Sequence, residues 1–144
     1  MGTVLKRNDF KKQYSVIKQG MFIFEKEKHI PKDQPIINIG KELSSALMKI
    51  EAGQRKDRAP DILREIIDEY NDVTLEHIEV LFTPSLEIDP AACILKLCRN
   101  RKICYVWPGE IKGEQLFYEQ PGNPEYYAQN YRAFIDTYII LGGM

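Results

Sequence analysis

Glu76 and Glu79 are the side chains best placed to do chemistry, because both lie near the end of one apolar run. That run covers residues 73–82 and reads V-T-L-E-H-I-E-V-L-F. Two neighbouring carboxylates can act as a general acid and a general base. The alternative is that one acid caps a neighbouring helix and the other is solvated at a strand end, and spacing alone favours this. His77, between them, is expected to be a hydrogen-bonded histidine at the surface or the strand end.

A phosphate-binding loop is missing from the sequence. An NTPase of the P-loop type needs G-x-x-x-x-G-K-[ST] after its first strand, because backbone N–H groups, a lysine and a hydroxyl together hold the phosphates and magnesium. The nearest fragment is Gly40-Lys41-Glu42, which has Pro35 in place of the first glycine and Glu42 in place of the hydroxyl. That carboxylate would repel phosphate. We therefore predict that Gly40 starts a helix and that the chain alone hydrolyses no nucleotide.

Basic residues occur in two clusters that are candidates for contact with phosphate or nucleic acid. Arg99, Arg101 and Lys102 follow a predicted helix, where cations are also favoured by the helix dipole. The second cluster, residues 55–58, is expected to be a solvated turn between helices. A net charge of -1 gives no preference for nucleic acid as a partner.

Aromatic and sulfur-containing residues provide weaker candidates. Four tyrosines near the C-terminus form a possible surface for stacking on bases or for oligomer contacts, although core packing is the favoured interpretation; they are Tyr118, Tyr126, Tyr127 and Tyr131. The three cysteines, Cys93, Cys98 and Cys104, form no C-x-x-C pair and are expected to be buried thiols in a reducing compartment. With only two histidines in the chain, we predict no metal site.

The predicted elements alternate between strands and helices. Short apolar runs bounded by Gly, Pro or charge predict buried strands, and apolar residues at i, i+3, i+4 and i+7 predict amphipathic helices. The predicted strands are 21–24, 35–39, 73–82, 102–107 and, as the last one, 116–118. The predicted helices are 8–18, one from Gly40, one with Pro60 in its first turn, one with Asp89 as N-cap, and a tyrosine-rich one from Pro124.

This alternation predicts an α/β fold with three layers, in which a mostly parallel sheet is flanked by helices. At 144 residues the chain is expected to be a single domain, with residues 1–20 as a helical N-terminal extension and residues 21–140 as the core. Hydrophobic residues make up 44% of the chain and charged residues 28%, as in globular proteins. No apolar run reaches the ~20 residues of a membrane span, so a cytoplasmic protein is expected.

Five motifs in a fixed order resemble those of a known family. They are I-E-V-L-F-x-P-S-L from Ile78, D-P at Asp89, R-N-R from Arg99, W-P-G from Trp107, and L-F-Y-E-Q-P-G-N-P-E-Y from Leu116. The order and spacing are similar to those of the small P-loop-type protein of type 3 BREX phage-defence systems. I-N-I-G-K-E-L-S from Ile37 is similar to a further segment of that family, and the resemblance covers roughly residues 36–140.

The resemblance implies a truncated P-loop NTPase core. It implies that Glu76 stands for the aspartate of a Walker-B-like strand, that Glu79 is the second acid, and that Arg99 and Arg101 match the family's arginines. Asn123 replaces a histidine of the family. Between the predicted strands 21–24 and 35–39 the family has a phosphate loop and a helix, whereas this chain has a short charged link.

We therefore expect a non-catalytic accessory, regulatory or assembly subunit of a bacterial anti-phage system, without a cofactor. Its expected partners are other defence-system proteins or a second copy of the chain. One alternative is an ATPase subunit that uses ATP and magnesium only when a partner supplies the missing loop. The second alternative is a nucleic-acid-binding module that uses the basic clusters.

Overall fold

The computed structural model describes residues 2–142. In chain order the strands are β1 (Thr3–Leu5), β2 (Gly20–Phe24), β3 (Ile36–Asn38), β4 (Val73–Glu76), β5 (Lys102–Val106), β6 (Glu110–Lys112), β7 (Gln115–Tyr118), β8 (Tyr127–Asn130) and β9 (Thr137–Ile140). The helices are α1 (Arg7–Gln13), α2 (Ile39–Met48), α3 (Ala52–Ile67) and α4 (Pro90–Lys96). Short 3₁₀ turns occur at Glu27–His29, Ile78–Phe82, Pro84–Leu86 and Tyr131–Ala133.

A six-stranded sheet with the order β1-β9-β2-β5-β4-β3 forms the centre of the molecule. Each neighbouring pair of strands in it is parallel. The other three strands form a small antiparallel sheet with the order β6-β7-β8. The predicted α/β fold, with a mostly parallel sheet flanked by helices, is confirmed.

The side chains of β2 alternate between the two faces of the parallel sheet, as the pleat of a strand requires. Met21 and Ile23 join a large core with α2, α3, α4 and the small sheet. Phe22 and Phe24 join a smaller core on the opposite face, which contains Phe10 of α1. We call the two sides of the sheet the broad face and the α1 face, and the large core on the broad face the broad core. Because both faces of β2 are buried, its sequence is a continuous apolar run.

Helices begin where the sequence provides caps. The side chain of Asn38 accepts a hydrogen bond from the Lys41 backbone N–H at 3.0 Å, and α2 starts at the next residue. The side chain of Asp89 accepts one from the Ala92 N–H at 3.2 Å, with Pro90 as the first residue of α4. Both arrangements satisfy backbone donors that have no partner inside the helix. The predicted start of the fourth helix is confirmed.

The prediction for the start of α3 was wrong. The helix begins at Ala52, so Pro60 lies inside it rather than in its first turn, and the basic cluster 55–58 is helical rather than a turn. Residues 52–58 have no apolar periodicity, so their pattern does not predict a helix. Packing supplies the reason for the longer helix: four apolar residues are buried in the broad core, namely Ala59, Ile62, Leu63 and Ile67, and Arg55 Nε donates to the Leu47 carbonyl at 2.8 Å.

The predicted strand 73–82 is shorter than expected. β4 ends at Glu76, and His77 adopts left-handed dihedrals with φ 59° and ψ 50°. The following residues form a 3₁₀ turn in which Ile78, Leu81 and Phe82 are buried. This spacing of i, i+3 and i+4 is that of a helical turn, so the apolar run contains two periods rather than one.

The C-terminal part also differs from the prediction. No helix follows Pro124; instead β8, a 3₁₀ turn and β9 complete the described chain. Residues 116–118 belong to β7 of the antiparallel sheet and are not the last strand. β9 pairs with β1 on one side and with β2 on the other. The helical spacing of the tyrosines after Pro124 covers only a short stretch. The strand pairings determine the structure there instead.

The N-terminal residues contribute to the parallel sheet. The segment 1–20 was expected to be a helical extension, but β1 pairs with β9 in the sheet, and α1 ends at Gln13 rather than at Lys18.

Within residues 2–142, no helix combines the length and apolar character that a membrane span needs.

Replacing Pro60 by alanine should raise the free energy of unfolding by about 1–3 kcal/mol. A proline inside a helix lacks the N–H of one backbone hydrogen bond, and its ring crowds the preceding turn. Urea unfolding followed by circular dichroism measures the change. Pro90→Ala is the matched control and should instead lower stability, because Pro90 is buried at the first helical position where proline is favoured. An unchanged or lower stability of Pro60→Ala would contradict the argument.

Candidate functional site

A cavity of about 710 Å³ lies over part of the parallel sheet at β3 and β4 and extends past the carboxyl ends of β2, β4 and β5. Its walls come from the link after β2 and from the end of β4; the lining residues are Glu27, Lys28, Ile30, Pro31, Lys32, Ile36, Thr74, Leu75, Glu76, His77, Ile78, Glu79, Val106 and Pro108. In open α/β sheets ligands bind in crevices at this end of the strands. The volume is within the range of ligand-binding pockets. The cavity is therefore the candidate functional site.

Both acids selected from the sequence line this cavity. Glu76 is the last residue of β4 and is half-buried, whereas Glu79 lies in the following 3₁₀ turn and is exposed. His77 stands between them in the sequence. Its Nδ1 is 3.9 Å from Glu79 Oε2. Because both of these side chains are at least half exposed, water screens the pair and it contributes little to stability. The sequence thus placed the acids at one site, although Glu79 is not in a strand.

The turn at His77 is held by a close approach of α2. A Cβ atom on Gly40 would lie 2.9 Å from the His77 carbonyl oxygen and 3.0 Å from the His77 Cβ. Glycine at the first turn of α2 therefore lets that helix approach the end of β4. Left-handed dihedrals at a non-glycine residue are disfavoured and persist where the surroundings impose them. The packing of Gly40 is such a constraint, and it fixes where Glu76 and Glu79 lie.

The link from β2 to β3 forms the opposite wall. It contains one short 3₁₀ turn, Glu27–His29, and neither a phosphate loop nor an α-helix. Gln34 anchors its end, because the Gln34 side-chain oxygen accepts from the Tyr14 hydroxyl at 2.6 Å and its nitrogen donates to Thr74 Oγ1 at 2.9 Å. Lys28 and Lys32 from this link line the cavity. No motif in the sequence indicates these lysines, and the charged, non-helical composition of the link is the only signal for them.

The predicted basic contacts lie at the other end of the sheet. Lys102 is the first residue of β5, whereas Glu76 is the last residue of the parallel strand β4. The Lys102 ammonium donates to the Tyr14 carbonyl at 2.6 Å, lies 3.4 Å from Asp72 and sits 4.0 Å from the Tyr14 ring centroid. Arg101 donates to the Ile67 carbonyl at 2.7 Å and is close to Asp68. Both cations are therefore used inside the fold.

Arg99 differs from these two residues, because it is exposed. It lines a second, smaller cavity of about 400 Å³ together with Gln19, Lys96 and Asp136. This cavity is at the amino ends of the strands, so Arg99 and the acids of the candidate site do not act on one ligand. The residues predicted to contact phosphate are thus separated from Glu76 and Glu79 by the length of the sheet.

The four tyrosines are not one surface. Tyr131 is buried and donates to the Gly113 carbonyl at 2.8 Å. Tyr127 donates to Asp89 at 2.7 Å, and burial is the main cause that raises its pKa. Tyr118 stacks on Phe82 with ring centroids 3.9 Å apart. Tyr126 is the one of the four that is exposed, at 39%. Packing explains the other three tyrosines, and it involves the small sheet rather than a helix.

The cysteines have the environment of packing residues. All three are free thiols, and burial raises the pKa of Cys98 to about 12 and the pKa values of Cys93 and Cys104 to about 11. A thiol with such a pKa has almost no thiolate at neutral pH, and the thiolate is the nucleophile. Within residues 2–142, no group of three or more His, Cys, Asp or Glu side chains is arranged to hold a metal ion.

Comparison with known proteins identifies no relative. No family model matches the chain, and neither a curated protein nor a solved structure matches it significantly. The function must therefore be argued from the residues of the chain itself.

Gly40→Ala should lower the free energy of unfolding by about 1–3 kcal/mol, because the added methyl group meets the backbone of His77. In an unobstructed helix the same substitution stabilises by about 0.5–1 kcal/mol. Gly53→Ala in α3 is the matched control, since nothing lies within 4 Å of its added Cβ. Chemical unfolding of both variants gives the two values, and a stabilising Gly40→Ala would show that α2 does not hold this turn.

Lys102→Ala should lower the free energy of unfolding by about 1–3 kcal/mol, because the Tyr14 carbonyl loses its donor in a half-buried position. Arg99→Ala should change stability by less than about 0.5 kcal/mol, as expected for an exposed residue. Thermal and urea unfolding provide the comparison. A Lys102→Ala variant as stable as the wild type would contradict the assignment of Lys102 to stabilising contacts within the fold.

Proposed function

We propose that this chain is a non-catalytic accessory or assembly subunit of a bacterial anti-phage defence system, acting in the cytoplasm. In this proposal its fold derives from a P-loop NTPase core that has lost the phosphate-binding loop. The observation that carries it is the link between β2 and β3, which contains only a 3₁₀ turn at Glu27–His29 where such an NTPase needs a loop and a helix. The defence context is supported by the motif resemblance alone.

ATP and magnesium do not fit the residues of the candidate site. A triphosphate needs several backbone N–H groups directed at one point, a lysine and a hydroxyl for the metal. The cavity instead has three carboxylates, from Glu76 and Glu79 near the end of β4 and from Glu27 of the link, and two lysines that also belong to the link. Without the loop, the acids would face the phosphates directly, and like charges repel. The site therefore favours a role in binding rather than phosphoryl transfer.

One observation favours a second candidate, an ATPase-type subunit that is completed by a partner. Glu76 and Glu79 line the same cavity as the shortened link, so a loop supplied by another protein would meet both acids there. In that case nucleotide would bind only to the complex. A nucleic-acid-binding module has less support, because Arg101 and Lys102 are engaged in contacts within the fold.

The test combines nucleotide binding with phage protection. Calorimetry with ATP or ADP and magnesium, up to millimolar concentration, should give no saturable binding to the wild-type chain. Deleting its gene from the host should reduce protection in a plaque assay. Calorimetry of the double variant Glu76→Gln plus Glu79→Gln should give the same absence of binding, because the proposed role needs no catalytic acid.

Two results would overturn the proposal. Protection that is unchanged by the deletion would remove the defence role. Saturable nucleotide binding that is lost in the double variant would favour an ATPase. Repeating the calorimetry with the complex that co-purifies from the host separates an ATPase completed by a partner from one that is active alone. Circular dichroism of the double variant controls for folding.

A further inference from the structure

The two faces of the parallel sheet are covered unequally. The broad face carries α2, α3, α4 and the small antiparallel sheet. The α1 face carries α1, whose Phe10 packs against Phe22 and Phe24 of β2. A three-layer α/β fold covers both faces of its parallel strands, because such strands are apolar on both sides. The α1 face therefore has less cover than its strands require.

The uncovered part of the α1 face is the floor of the candidate site. Ile36 of β3, Glu76 of β4 and Val106 of β5 line the cavity there. Ile36 is 59% exposed although it lies in a strand of the parallel sheet. β3 is the edge strand of that sheet, so the cavity is open along one side. An elongated occupant can enter from this edge and cover Ile36.

The two walls differ in the sign of their net charge. The link provides Lys28 and Lys32 together with one acid, Glu27, and the end of β4 provides Glu76 and Glu79, with apolar residues such as Ile30 and Val106 in between. We call the cavity between these two walls the groove. An occupant that matches the groove has an apolar stripe, acidic side chains on one flank and basic side chains on the other. Those are the properties of an amphipathic helix, which binds grooves through apolar residues at i, i+3, i+4 and i+7.

We propose that an amphipathic helix of a partner protein docks in this groove, with its apolar stripe on Ile36 and Val106. In this arrangement its acidic flank faces the lysines of the link and its basic flank faces the acids of β4. The inference rests on the proposed function, and it specifies the surface that an assembly subunit would use. The docked helix would supply the missing layer over β3, β4 and β5 on the α1 face.

A second copy of the chain does not offer such a helix among residues 2–142. Its exposed large apolar residues are Val4, Val16, Ile36, Met48, Tyr126, Ile135 and Leu141. Of these only Met48 lies in an α-helix, at the last position of α2. A single exposed residue makes no apolar stripe, so the helix comes from a different protein.

Site-specific photo-crosslinking in the host tests this proposal. The photoreactive residue p-benzoyl-phenylalanine replaces Ile36 in the full chain, and in the matched control it replaces Met48, which is 77% exposed on a different surface. After irradiation, peptide mass mapping identifies the segment attached at position 36. The expected result is one segment of a different protein, with apolar residues at helical spacing and charges of both signs, that is absent from the control.

A synthetic peptide of the mapped segment then tests the contacts by calorimetry. Ile36→Asp should weaken its binding by about tenfold or more, because it places a charge against the apolar stripe. Lys32→Glu and Glu76→Lys should each weaken binding, and Lys32→Glu should be compensated by reversing the acidic flank of the peptide. Arg99→Ala at the other end of the sheet should leave binding unchanged.

Several outcomes would overturn the inference. They are equal labelling from positions 36 and 48, a crosslink to a second copy of this chain, a mapped segment without helical periodicity, and peptide binding that is insensitive to Ile36→Asp. Because Ile36 is exposed, the variant should keep the wild-type thermal midpoint, which checks its folding. If protection is lost on gene deletion but kept in Ile36→Asp, the docking inference fails while the proposed function stands.

Discussion

Burial of β2 on both faces is the constraint on which the rest of the structure depends. Phe22 and Phe24 need α1 on one side, while Met21 and Ile23 need the helices of the other side. β2 pairs with β5 and with β9, so the chain must leave it at the carboxyl end and cross two strands to reach β3 at the edge. Without a crossover helix, the link crosses as a nearly irregular segment. The groove is the space that this route leaves over β3, β4 and β5.

The elements that were predictable from sequence are those whose burial is local to one run or one helical face. The runs that became β2, β3 and β5 are apolar and short, and the caps Asn38 and Asp89 act within three residues of their partners. β9 was missed because its identity as a strand comes from pairing with β1 and β2, more than a hundred residues away in sequence. The first half of α3 was missed because it is exposed and held by its buried second half and by the contact of Arg55 with α2.

The candidate site was predictable in part for the same reason. Glu76 and Glu79 stand close together in sequence, and both line the cavity. Arg101 and Lys102 also stand together, but their partners are backbone carbonyls of α3 and of the segment after α1, which no local pattern reveals. The lysines of the link could not be selected, because charge in an irregular segment usually means only solvent exposure. Their relevance comes from the side of the sheet over which the link passes.

The groove and the smaller core are mechanically connected through Tyr14. Its hydroxyl donates to Gln34 at the end of the link, its carbonyl accepts from Lys102, and its ring packs on Phe22. Burial is the main cause that raises the pKa of Tyr14, and a tyrosine hydroxyl is in any case protonated at neutral pH and can donate. A segment with few backbone hydrogen bonds of its own is thus held by the side chains of Tyr14, directly after α1, and of Thr74 in β4. The position of Lys28 and Lys32 on the link therefore depends on the packing of α1. Any change that loosens α1 should alter the groove before it unfolds the broad core.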